Sequence, residues 1–70
     1  MTTRTSKYFY LTNVVEVQWS SGFWEAIAAF NDDSAATQYA IDCRGTNKHL
    51  SYRVLERKGS KWKVVREWLK

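Results

Sequence analysis

Trp19-Ser20-Ser21-Gly22-Phe23-Trp24 is the stretch on which the fold depends. A two-residue Ser21-Gly22 turn predicts a hairpin that sets Trp19 against Trp24, Val17 against Ala26 and Val15 against Ala28, three apolar pairs on one side. The other side then takes Gln18 with Glu25 and Glu16 with Ile27. Successive side chains on a strand point to opposite faces, so a one-residue slip would mix the two sets.

Upstream of the turn, the odd positions run Phe9, Leu11, Asn13, Val15, Val17 and Trp19, and the even ones Tyr8, Tyr10, Thr12, Val14, Glu16 and Gln18. Period-two alternation rich in β-branched and aromatic residues predicts a strand with its odd side toward the core, bent near Thr12-Asn13. Residues 1–7 are polar and read as a loose leader, with residues 8–70 forming one domain. Downstream, residues 23–30 support two readings. Phe23, Ile27 and Phe30 have helical spacing among alanines of high helix propensity, whereas Trp24, Ala26, Ala28 and Phe30 would share one face of a strand. The strand is preferred, because its parity matches the preceding strand and so short a helix is unstable alone.

Asn31-Asp32-Asp33 breaks the pattern, and an Asp or Ser34 there can cap a helix start while placing negative charge at the positive end of the dipole. Ala36, Tyr39, Ala40 and Cys43 follow at helical spacing and form one narrow stripe to lay on a sheet. Gly45 is expected to end the helix, with Arg44 in its last turn. Leu50, Tyr52 and Val54 then alternate with Ser51, Arg53 and Leu55. A three-residue Arg57-Lys58-Gly59 loop, with Gly59 left-handed, pairs Val54 with Trp62 and Tyr52 with Val64 on the core side. The expected fold is α+β: a single small domain with a four-stranded antiparallel sheet of two hairpins and one helix on one face, ββαββ.

At 70 residues the chain buries only roughly 60% of its unfolded surface, so its four Trp, four Tyr and three Phe matter to the core. One cysteine, Cys43, forms no internal disulfide and no zinc site; it reads as a small buried hydrophobe in a protein of the reducing cytoplasm. The N-terminus has no apolar signal core, and no apolar run approaches the ~20 residues needed to span a bilayer, so no membrane partner is expected. The net charge of +4 is uneven. Residues 1–42 carry Arg4 and Lys7 against Glu16, Glu25, Asp32, Asp33 and Asp42, a balance of −3. Residues 43–70 carry nine Lys and Arg against Glu56 and Glu67, a balance of +7. Such asymmetry points to an anionic partner, whether nucleic acid or an acidic protein surface.

The pattern Trp24-x-x-Ile27-Ala28-x-Phe30, then Ala36-x-x-Tyr39-Ala40, then Tyr52-Arg53-Val54 and a strand at Trp62 resembles small ββαββ proteins carried by phages and mobile elements, over about residues 14–68. The resemblance implies an accessory protein that acts by binding, a group in which inhibitors of host defence systems are frequent. It transfers no functional residue.

Catalysis finds little support. His49 is the only histidine, so any Ser or Cys nucleophile would have to recruit it from a loop. Asp32-Asp33 reads as a cap, and Gly22, Gly45 and Gly59 stand in separate turns rather than in a phosphate loop. No enzyme activity, cofactor or metal is expected. The expected site is the sheet face away from the helix, where Arg53, Arg57, Lys61 and Lys63 surround Leu55 and Val65, beside Glu16, Gln18 and Glu25 around Val14 and Ile27. Its expected occupant is a larger host protein or complex. The alternative is sequence-tolerant nucleic-acid binding by the basic C-terminal hairpin, which an inward Trp62 and Tyr52 would deprive of a stacking platform. A homodimer is a further possibility, through an edge strand or the open face.

Overall fold

Both hairpins form, with a helix between them in the chain. A computed structural model, which describes residues 11–70, gives β1 (Asn13–Gln18), β2 (Trp24–Phe30), α1 (Asp33–Thr46), β3 (Ser51–Lys58) and β4 (Lys61–Trp68). The leader over residues 1–7 and the strand start at Tyr8 lie outside the described residues. The strands make one antiparallel sheet in the order β2-β1-β3-β4, so the expected ββαββ fold is correct, and within residues 23–30 the stretch Trp24–Phe30 is strand rather than helix. No helix among the described residues is long and apolar enough to cross a membrane.

The registers differ from those expected, and turn chemistry is the reason. In the first hairpin the Gly22 N–H donates to the Trp19 carbonyl at 2.8 Å and the Trp19 N–H donates to the Phe23 carbonyl at 2.9 Å. The loop is therefore three residues, Ser20-Ser21-Gly22, with Gly22 at φ 91° in the position that tolerates only a residue without Cβ strain. That extra residue moves the pairing by one, to Gln18 with Trp24, Val17 with Glu25 and Glu16 with Ala26. A bulge at Ile27 then restores Val15 to Ala28. Trp24 thereby leaves the core side, and the expected Trp19–Trp24 and Val17–Ala26 pairs do not form.

The second hairpin closes on a two-residue Gly59-Ser60 loop between Lys58 and Lys61, instead of the three residues expected. Gly59 is left-handed as expected, at φ 63°, and no non-glycine among the described residues has positive φ, the pattern of a type II′ turn. Arg57 pairs with Trp62, Glu56 with Lys63 and Leu55 with Val64; an extra residue at Val65 follows, then Val54 with Arg66 and Tyr52 with Trp68. Near the tip, the faces of β4 are thus the reverse of those expected.

The Asp32 carboxylate caps α1 by accepting the Ala35 N–H at 3.0 Å, and Asp33 and Arg44 flank the two ends with the charges the dipole favours. Gly45 does not end the helix. It lies within the last turn, because the carbonyls there find donors without a left-handed glycine: Asn47 N–H on Cys43 at 2.9 Å, the Thr46 hydroxyl on Asp42 and the Tyr52 hydroxyl on Cys43. Ala36 and Ala40 are fully buried against Val15 and Val54 of the central strands, with Ile27, Ala28, Phe30, Val65 and Trp68 around them. Two alanines bring the helix close to the sheet, and each buried valine contributes roughly 1.5–3 kcal/mol.

Candidate binding face

Val15 and Val54 face α1, so Val14, Glu16, Arg53, Leu55 and Arg57 stand on the other side of the sheet. The pairings carry Ala29, Ala26 and Trp24 of β2 and Val64 and Trp62 of β4 onto that same side. Its two edges are thus marked by tryptophans that the sequence reading placed in the core.

At the centre of this face Glu16 has no exposed surface. Its Oε1 accepts from both Nε and Nη2 of Arg53 at 2.7 Å, and the Arg53 guanidinium lies 4.0 Å from the centroid of the Trp24 ring. A carboxylate in such a place needs a fixed partner, because its desolvation is costly. A guanidinium can meet that need while also stacking on an indole. Val14 and Leu55 beside them are also buried, so the apolar centre expected to lie open to a partner is a packed one with a wetter rim.

The rim lies toward β4. Val64 is exposed and Trp62 half-buried, opposite Leu55 and Arg57. Arg57 donates from Nε to the Leu11 carbonyl at 3.2 Å and from Nη1 to the Gly59 carbonyl at 3.0 Å, which ties the hairpin tip to the chain leading into β1. Of the six residues expected to form the site, Arg53, Leu55 and Arg57 share this face. Lys61 and Lys63 pair with Lys58 and Glu56 on the helix side, and the bulge turns Val65 into the core. Glu25 also changes sides and accepts the Trp19 indole N–H at 2.8 Å. Trp24 and Trp62 were missed, although the Gly-Ser dipeptide at the second bend carries the signal for a two-residue loop that would have revealed Trp62.

Elsewhere, Asp32 acts as the cap and Asp33 pairs with Arg66 at 2.8 Å, as a helix start over a basic strand would have them. His49 is exposed in the connection before β3. Among the described residues, no three His, Cys, Asp or Glu side chains gather to hold a metal ion. Burial raises the Tyr39 and Tyr52 phenols above their ordinary value, and the neighbouring Cys43 adds to both shifts. The chain matches no known protein family, no curated protein and no solved structure.

Proposed function

We propose that this protein is a non-enzymatic binding module that occludes or modulates a larger protein partner through the sheet face away from α1. The reading rests on the β4 rim of that face, where Trp62 and the exposed Val64 lie against Leu55 and Arg57. Aromatic and arginine side chains around a small apolar centre are the composition of a protein interface, and Trp and Arg are the residues on which binding energy concentrates. Inhibition of a host defence complex, the role implied by the resemblance to phage and mobile-element proteins, is one form of this activity. The test is affinity capture from bacterial lysate, with and without nuclease, using the wild type and a Trp62→Ala/Val64→Ser variant. A protein partner kept after nuclease treatment and lost from a variant that still folds is the expected result. Equal capture by the variant overturns the assignment of the face.

One observation favours a nucleic-acid ligand instead. Trp62 faces outward beside Arg57, at a hairpin tip whose Lys58, Lys61 and Lys63 stand on the opposite face of the ribbon. An indole beside an arginine can stack on an unpaired base while the lysines around the edge of the tip meet phosphates of the same strand. This reading expects short oligonucleotides to quench tryptophan fluorescence, with affinity falling by a log–log slope of about 0.7 per phosphate neutralised on single strands as salt rises. Absence of quenching at low salt removes it.

A further inference from the structure

At the C-terminal end of α1 a shallow, largely open depression of about 390 Å³ lies between the helix and the start of β3, lined by Tyr39, Asp42, Cys43, Thr46, Asn47 and Tyr52. Its walls suit the end of a chain rather than a whole drug-sized ligand. We propose that this site binds an alkylammonium group, the chemistry at the end of a lysine side chain, between the Tyr39 ring and the Asp42 carboxylate.

Three observations carry the assignment. The first is charge: the protein is +4 overall and strongly basic after residue 43, yet the one charged residue in the lining is Asp42. The second is position. Asp42, Cys43 and Thr46 belong to the last turns of α1, where the helix dipole presents its negative end and favours a cation. The third is the state of the aromatic walls. The Tyr52 hydroxyl lies 3.3 Å from the Cys43 carbonyl and 3.2 Å from the Asn47 carbonyl, so its proton is engaged by the backbone. Tyr52 is itself buried and forms the floor of the site, so the ring a ligand meets is that of Tyr39. Tyr39 is partly exposed beside it, and neutral phenol rings attract cations through their quadrupole. Asp42 accepts one bond, from Gln38 Nε2 at 3.0 Å, and a carboxylate has room for several more. An apolar stem against Tyr39 and Cys43 with an ammonium at Asp42 matches these walls. The inference is independent of the sheet-face reading, since the pocket sits at the end of β3 remote from the Gly59 tip.

Titration of 15N-labelled protein with n-butylammonium chloride reads the pocket directly. Saturable amide shifts confined to the lining residues are expected, with 1-butanol, which has the stem but no charge, binding about tenfold more weakly. Asp42→Asn, an exchange on the exposed helix surface, and Tyr39→Leu should each weaken butylammonium severalfold while the remaining spectrum stays folded. Equal binding of butanol, undiminished binding in both variants, or shifts that do not saturate overturn the proposal. N-acetyl-lysine methylamide distinguishes the source. Binding as tight as butylammonium assigns a protein lysine, exclusion assigns a free amine, and either outcome upholds the ammonium chemistry.

Discussion

Glu16 and Arg53 have to be treated as a unit. With the carboxylate fully buried, Arg53→Ala leaves behind a charge that has lost its guanidinium, and a loss of about 3 kcal/mol is expected in urea unfolding. Replacing both residues by apolar ones of similar volume should recover most of that loss, because the desolvation cost disappears with the charges. Charge reversal at Arg53 is accordingly a poor probe of partner binding, since it would disturb the sheet itself; Trp62 and Val64 are better ones. The tyrosines give a second residue-level expectation. Their folded-state values are raised, so the unfolded chain loses these protons first as pH climbs past the ordinary value of 10.0. Their contribution to stability is complete below that value and is lost as pH rises through the folded-state one. Urea midpoints at about pH 9 and about pH 11 should show a fall that Tyr52→Phe makes smaller; equal falls in the two proteins contradict it.

At the scale of elements, the cap is the simplest handle. Asp32→Ala removes the acceptor for the Ala35 N–H and the anion at the helix start, and should cost about 1 kcal/mol by thermal or urea unfolding. Gly59→Ala is expected to cost a similar amount, on the order of 1 kcal/mol, from backbone strain alone, since open space surrounds the position where a Cβ would stand. The helix, its cap and the ββαββ succession along the chain were legible because each rests on local chemistry: period, capping oxygens, turn residues. Register was not. Apolar residues stand on both faces of β2 and β4, so more than one pairing yields an apolar side, and loop length decides among them. One residue more in the first loop and one fewer in the second changed the pairing, and bulges at Ile27 and Val65 brought part of the apolar pattern back to the core. Half of the expected site moved with the register. Arg53, Leu55 and Arg57 lie on a central strand whose faces follow from the core valines, whereas Lys61, Lys63 and Val65 lie on the edge strand that the loop controls.

Over the whole molecule, the sheet order β2-β1-β3-β4 places the partners most distant in sequence side by side at the centre. Even the nearest pair of β1 with β3, Gln18 with Ser51, is separated along the chain by both β2 and α1. Neither hairpin alone encloses the cluster of Val15, Val54, Ala36 and Ala40, which draws on β1, α1 and β3 together. The chain must therefore close its longest loop before the core rewards it, and folding should be slow for so small a protein and without a stable half-folded stage. Val54→Ala is expected to slow refolding in stopped-flow measurements, because its contacts belong to that closure. Val64→Ala at the sheet edge should chiefly speed unfolding. Equal effects of the two on the refolding limb would place the barrier elsewhere. The same connectivity makes the two halves of the chain complementary: a cut in the Asn31–Asp32 link leaves two fragments, each holding one central strand, that gain order only by finding each other.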